Sequence, residues 1–292
     1  MSPAQITAEA VIRPASADDV AACSVICHSA FNTINQQHNF PPDLPSPEVA
    51  SQILTWMFTH PGFYCVVAEV DGRVVGSNCL DERSIIAGVG PITVDPGNQN
   101  SGVGRRLMQA VLDRAHERGA AGLRLVQAAF HNRSLSLYNS LGFDIREPLA
   151  TIQGRTAQRS MPGCTVRPAT SADVPTCIAL GLELHGFERA GELLDGIEHG
   201  SALIVERGGK ITGYASSLAF FGHAIAESNY DLQALLTSVE SFGGPGILLP
   251  TRNSSLFRWC LAQGLRVVQP MTLMSMGLYN EPRGAWLPSV TF

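Results

Sequence analysis

At 292 residues the chain is long enough for two domains of about 150 residues each. Hydrophobic residues make up 45% and charged residues 15%, which excludes a disordered chain, since disorder needs low hydrophobicity and high charge. The formal net charge of −5 gives no general attraction for phosphate backbones, so nucleic acid is not an expected partner and a cationic substrate suits the balance better.

No apolar run approaches the roughly 18 residues of a membrane span. Met1 to Ala10 has neither the basic start nor the apolar stretch of a secretory signal, so a cytoplasmic location is expected. The seven cysteines are odd in number and form no CxxC pair, and Cys23 and Cys27 share one helix face. Small core residues in a reducing compartment are the expected reading, with no metal site.

In chain order, Val11 to Arg13 reads as a strand, and Ser16 caps a helix that begins at Asp18-Asp19. A polar, proline-punctuated loop follows at His38 to Asp43. Ser46-Pro47 opens a second helix, with Pro in its first turn. Val66 to Gly76 reads as strand, Gly turn, strand, and Leu80 to Arg83 closes it with two acids, Asp81 and Glu82. Ile92 to Asp95 is a strand that stops at Pro96. Beyond the glycine-rich stretch that follows, Leu107, Met108, Val111, Leu112 and Ala115 make a helical stripe ending near Gly119.

The order then repeats. Val11-Ile12-Arg13-Pro14 is echoed by Thr165-Val166-Arg167-Pro168, Asp19-Val20 by Asp173-Val174, and Val66–Gly76 by Leu203–Gly213. Leu141-Gly142-Phe143 is echoed by Gln263-Gly264-Leu265. Echoes in a constant order predict a duplicated α/β unit, each copy a mostly antiparallel mixed sheet flanked by helices. The seam falls in Gly154 to Gly163, giving domains 1–153 and 164–292.

Gly97 to Arg106 carries the chemistry. A strand, a glycine-rich turn and a helix start together make an anion site, because the first helical N–H groups lack partners and the dipole end is positive. Arg105 and Arg106 add charge. A P-loop would need Lys after Gly104, and a dinucleotide fingerprint would need Gly where Leu107 stands, so both are disfavoured. On the glycines alone, a helix start built only for tight packing is an equal reading.

The flanks break the tie. Gln99-x-x-Gly102-x-Gly104 after Thr93-Val94-Asp95-Pro96 resembles the acyl-CoA motif of the Gcn5-related N-acetyltransferase (GNAT) superfamily, and Tyr138 to Phe143 resembles its second signature. The resemblance covers Val11 to about Ile152 well, and Val166 to Phe292 as a decayed copy. It implies acetyl-CoA as acyl donor, with Ile92, Thr93 and Val94 binding the pantetheine arm and Gln99, Asn100, Ser101, Gly102, Val103, Gly104 and Arg105 cradling the pyrophosphate. The Val94 N–H would polarise the thioester carbonyl. Tyr138 matches the general acid that protonates the departing thiolate. Where the family usually has Asn, this chain has His131 with Asn132 one later, and either could reach the cofactor.

The base is less defined. Gly88 to Ile92 holds no carboxylate, and the nearest are Asp81 and Glu82, of which strand alternation lets only one face the site. A surface cluster with Arg83 is the equal alternative for both acids, and water could serve as base instead. In the second copy the anion motif is replaced by Glu227-Ser228-Asn229, and Cys260 stands where Tyr138 does, so a cofactor-free second domain is expected. Phe221 and His223, on an expected strand from Ser216 to Ala226, are candidate substrate contacts, although a core strand with a satisfied His is the stronger reading for each. The implied reaction is acetyl transfer to a primary amine of a small molecule by direct attack in a ternary complex. The alternatives are a non-catalytic acyl-CoA-binding or regulatory module, and acetylation of a protein or peptide amine. Nothing in the sequence indicates an oligomer.

Overall fold

The computed structural model describes residues 10–292, so the Met1 to Ala10 opening lies outside the described residues except for Ala10. The chain opens with β1 (Val11–Pro14), α1 (Val20–Gln37) and α2 (Pro47–Thr59), then the hairpin β2 (Phe63–Val70) and β3 (Arg73–Asp81). Next come β4 (Ile86–Val89), β5 (Thr93–Val94), α3 (Val103–Glu117), β6 (Gly122–Ala128), α4 (Asn132–Ser140) and β7 (Asp144–Gln153). The second half runs β8 (Cys164–Pro168), α5 (Val174–His185), α6 (Ala190–Glu198), β9 (Leu203–Arg207), β10 (Lys210–Ala215) and β11 (Ala224–Ala226). It ends with α7 (Asn229–Thr237), β12 (Ile247–Pro250), α8 (Ser254–Ala262), β13 (Arg266–Gly277) and β14 (Ala285–Leu287).

By contact density there are two compact units. The first is the described chain up to Glu82 with Val89–Ala120, and the second is Arg83–Gly88 with Ala121–Phe292. The boundary expected after residue 153 does not coincide with this division. The reason is strand exchange within the second unit: β13 lies antiparallel between β6 and β7, and β12 takes the other edge of β7. The β6–α4–β7 segment is thereby tied to residues 164–292.

In the first unit β1, β2 and β3 pair antiparallel in that order, and β5 adds to β3. Cys23, Cys27, Leu44, Ala50, Leu54 and Val67 form one core, where α1 and α2 cover β2. Leu107, Met108, Val111 and Ala115 of α3 are buried, as their helical stripe predicts. The second unit has one mixed sheet, in which β4 runs parallel to β6, and one antiparallel sheet ordered β14-β11-β10-β9-β8. The seven cysteines are unpaired, and burial pushes the thiols of Cys23, Cys27, Cys177 and Cys260 up to about 12, so none of these four is a ready thiolate.

The sequence echoes are echoes in structure. Arg13 donates to Asp19 (2.7 and 2.8 Å) and Glu69 (2.6 and 3.0 Å), and Arg167 repeats this with Asp173 (2.8 Å twice) and Glu206 (2.8 and 3.1 Å). Asp19 also accepts from the Ser16 N–H, and Asp173 from the Thr170 N–H, each at 2.8 Å, closing a capping box at the helix start. Asp71-Gly72 and Gly208-Gly209 turn the two hairpins with positive φ at both positions, the two-residue turn whose twist matches paired strands. Both ladders then slip by one residue at equivalent places, leaving Val75 and Thr212 as bulges. The Val75 carbonyl accepts the Asp95 N–H and the Thr212 carbonyl accepts the Glu227 N–H, each at 2.8 Å.

One expected element is shorter than read. Of Ser216 to Ala226 only Ala224–Ala226 is strand, because the chain turns so tightly at Gly222 that a Cβ would stand 2.2 Å from the Ser217 carbonyl oxygen.

Candidate functional site

In the first unit the bulge at Val75 fixes the start of the glycine-rich loop. Because Asp95 gives its N–H to β3, alternation turns the N–H and C=O groups of Ile92 and Val94 to the opposite edge of β5. No second strand pairs with β5 among the described residues. Thr93 is buried with its hydroxyl 3.5 Å from that of Ser77. The loop is held from inside. Gln99 Nε2 donates to the Val94 carbonyl (3.3 Å), Asn98 donates to Asp95 (2.8 Å), and the Ser101 hydroxyl donates to the Asn98 carbonyl.

The loop ends in two left-handed residues, Asn100 (φ 64°) and Gly102 (φ 86°). Gly102 is the N-cap of α3 and brings no side-chain acceptor to it, and a Cβ on it would meet nothing within 4 Å. Gly102 therefore starts a 15-residue helix with no side-chain acceptor of its own to offer the first N–H groups, beside open space. That is what a phosphate ligand needs: oriented donors, a positive dipole end and no obstructing Cβ. Val103 is buried and Arg105 exposed.

Of the two carboxylates, Asp81 ends β3 and is buried. Glu82 follows it and is bound through both oxygens by Arg114 (2.7 and 3.2 Å), with Arg118 at 3.5 Å.

In the second unit, His131 is the N-cap of α4 and Asn132 its exposed first residue. Tyr138 lies on the same helix, 7% exposed, with its ring edge-on to Phe143 (62° between planes, centroids 6.3 Å apart). Gly142, at φ 99°, lets the Phe143 N–H return to the Tyr138 carbonyl (3.0 Å). No described residue hydrogen-bonds the Tyr138 hydroxyl, and burial raises its pKa, so the phenol keeps its proton. Phe221 is half-buried against Phe220. His223 is 2% exposed, with Nδ1 near Ser216 (3.2 Å) and Glu192 (3.1 Å) and Nε2 at the Tyr214 hydroxyl (3.1 Å). Burial keeps it neutral despite Glu192, so it is a satisfied core histidine out of a substrate's reach. The Arg13–Asp19–Glu69 cluster, the bulge contact and the Glu82–Arg114 pair went unread in the sequence. Only the first left a signal, the recurring Arg and Asp.

Residues 30–143 match the model of the Acetyltransferase (GNAT) family. It is 42% identical over 65 residues to the [Ribosomal protein bS18]-alanine N-acetyltransferase of Escherichia coli. That match covers 22% of this chain, and the chain spans about two fifths (41%) of the length of the relative. A GCN5-related N-acetyltransferase of Sphaerobacter thermophilus superposes with a TM-score of 0.61 at 15% identity, over 94% of this chain and 97% of that one. A tandem GNAT protein from the clavulanic acid biosynthesis pathway superposes with a TM-score of 0.55 at 15% identity, over 93% and 100%. The fold is that of tandem GNAT proteins.

Proposed function

We propose that the chain is an N-acetyltransferase that moves the acetyl group of acetyl-CoA to a primary amine by direct attack in a ternary complex. The observation that carries this is the start of α3: a left-handed Gly102 that brings no side-chain cap and leaves open space where a Cβ would stand. The first N–H groups of that helix and Arg105 would hold the pyrophosphate, and Gln99 keeps the loop closed on β5. The outward edge of β5 would bind the pantetheine amides through Ile92 and Val94. The Val94 N–H would also meet the oxygen that gains charge when the amine attacks the thioester carbon.

Attack forms the C–N bond, collapse breaks the C–S bond, and the amine sheds one proton while the thiolate gains one. Tyr138 would serve the thiolate side. Since burial raises its pKa, the phenol acts as a hydrogen-bond donor to the developing thiolate rather than as a strong acid. Glu82 is held by arginines and serves the fold, which leaves Asp81 or water to take the amine's proton. His131 and Asn132 stay at the start of α4 as candidate cofactor contacts. Domains 1–153 and 164–292 are the two ancestral repeats, and only the first keeps the donor site.

We assign the acceptor to small-molecule amines, a reading the acidic balance favours only weakly. A second reading has support of its own, because the curated relative acts on an alanine of a ribosomal protein. The test is acetyl-CoA consumption with a panel of small amines beside peptides beginning with Ala. Turnover confined to peptides would replace the small-molecule assignment, and acetyl-CoA binding without turnover on either panel would favour the non-catalytic module.

A further inference from the structure

Arg124 is a buried cation without a carboxylate partner among the described residues. It stands on β6 between Gly88 of β4 and Ser275 of β13, 1% exposed. Its Nε and Nη2 atoms are buried with no acceptor. Burial lowers its pKa to about 10, so it keeps its charge at pH 7. The two arginines whose charges act on it are each neutralised, Arg189 by Glu192 and Arg146 by Asp144 (2.9 Å). Arg124 meets rings instead. The centroids of Phe187, Tyr279 and Phe292 lie 4.8, 4.9 and 4.3 Å from its guanidinium carbon. Ring faces attract a cation but give its in-plane N–H groups no lone pair. The two bare atoms are one edge of the guanidinium, the fork that a carboxylate fits with two parallel hydrogen bonds.

Phe292 is seated as a ligand would be. Its ring centroid also lies 4.2 Å from the Arg189 guanidinium carbon, and its carbonyl oxygen accepts from Arg189 Nη1. One ring is thus shared by two guanidinium groups, and of the three rings it is the nearest to Arg124. Residues 289–292, which carry it, belong to no strand. The Val290 N–H donates to the Phe220 carbonyl (2.8 Å). The Ser289 and Thr291 hydroxyls meet each other (2.9 Å), and the Phe292 N–H returns to the Ser289 carbonyl (3.0 Å). Room for the segment is made on β4, where a Cβ on Gly88 would stand 1.7 Å from the Thr291 carbonyl oxygen. A segment bonded largely to itself can withdraw without opening a sheet, and its withdrawal uncovers both arginines.

We infer that this box is a binding site for a small aryl carboxylate, which takes the place of Phe292 with its ring on Arg189 and its carboxylate on the Arg124 fork. Residues 289–292 close the site when that ligand is away. An anion there supplies what the rings do not, a counter-charge for Arg124 and acceptors for its bare N–H groups. The site is independent of the acyl-donor reading, since all its residues lie in the second unit.

The test is calorimetric titration of the full chain with 3-phenylpropionate, with 3-phenyl-1-propanol as the uncharged analogue. Phe292→Ala removes the competing ring and keeps the backbone that Arg189 binds. One acid site per chain is expected in Phe292→Ala, at least about tenfold tighter than in the parent, which must first expel its own ring. Phe292→Leu, the milder change, should fall between the two and serves if Phe292→Ala does not fold. The alcohol should bind at least about tenfold more weakly than the acid, since it cannot fill the charged fork. Arg124→Lys, added to Phe292→Ala or Phe292→Leu, keeps a cation but loses the fork, and should weaken the acid at least about tenfold while leaving the alcohol within about twofold. Should Arg124→Lys not fold, the comparison of acid with alcohol decides alone. Gly102→Glu should leave acid binding unchanged, so failure of the donor site and failure of this site are told apart. Absence of acid binding in the Phe292 variants, equal binding of acid and alcohol, equal acid affinity in the parent and the Phe292 variants, or unchanged acid affinity in a folded Arg124→Lys protein overturns the inference.

Discussion

Gly102 offers the sharpest test of the phosphate site, because strain and charge can be separated there. It caps α3 at φ 86° and ψ −6°, and a side chain would project into open space. Clash therefore contributes nothing. A non-glycine residue in the left-handed region costs about 1 kcal/mol, which lowers Tm by roughly 2–4 °C. Gly102→Ala and Gly102→Glu share that cost. The glutamate adds a charge. About 5 Å from one phosphate charge at an effective dielectric of about 20, the repulsion is about 3 kcal/mol, more than a hundredfold in Kd. Calorimetric titration with acetyl-CoA at low ionic strength, beside thermal melts, should find equal Tm losses in the two variants. Alanine should bind within about tenfold of the parent, and glutamate more than a hundredfold more weakly. Equal acetyl-CoA affinities for the two variants would refute the placement of phosphates at this helix start.

Tyr138→Phe should keep acetyl-CoA affinity within about twofold while kcat falls about 10- to 100-fold, as expected for one lost donor; full turnover would remove the phenol from the reaction. Glu82→Gln should cost about 1 kcal/mol of stability through Arg114 and leave kcat within about twofold, whereas a large rate loss at unchanged Tm would make Glu82 the base. The twin arginine clusters predict acid sensitivity. The Arg13 guanidinium holds the Asp19 carboxyl down at about 2, and Arg167 holds Asp173 well below the usual range. A depressed folded pKa stabilises above the unfolded value of about 3.9 and loses that contribution as pH falls toward the folded one. Because Arg13 and Arg167 are more than a third open to solvent, each cluster is discounted to about 1 kcal/mol. Asp19→Asn or Asp173→Asn should lower stability by that amount at pH 7, with the difference from the parent shrinking between pH 4 and pH 2; a constant difference would contradict the linkage.

Local features were legible in the sequence because local physics makes them. Ser46-Pro47 starts α2, Asp71-Gly72 turns a hairpin, and Gly102 caps α3, each as its residue type dictates. The duplicated Arg and Asp were visible as letters, but not as ion clusters, because their partners Glu69 and Glu206 lie far along the chain. The stronger sequence reading of His223, a satisfied core histidine, agrees with its burial, but nothing nearby in sequence announces Glu192 as one of its partners beside Ser216 and Tyr214. The sequence shows the anion motif of the second repeat replaced at Glu227-Ser228-Asn229. The structure adds a shortened loop, detectable only once the bulge carbonyls of Val75 and Thr212 fix the register. Strand exchange left no signal at all, because β13 carries the same kind of apolar residues whichever partner it has.

That exchange makes the two repeats inseparable in a way the domain reading does not anticipate. β7 has β13 on one edge and β12 on the other, and β6 has β13 beside it. Leu149 and Ile86 are buried with Ile204, Tyr214, Ile225, Leu248 and Leu273, all from beyond the seam. A chain ending at residue 163 would keep every residue assigned to acetyl transfer and lose those partners. It would expose both edges of β7 and an apolar face, the conditions for edge-to-edge association. Closing β6 directly onto β7 would restore one edge but not the lost core. Sedimentation velocity on that shortened chain should therefore find aggregate, with the intact chain as control. A soluble shortened monomer that binds acetyl-CoA with the affinity of the intact chain would mean that β6 and β7 can pair without β13, and that the first repeat does not need the second for its fold.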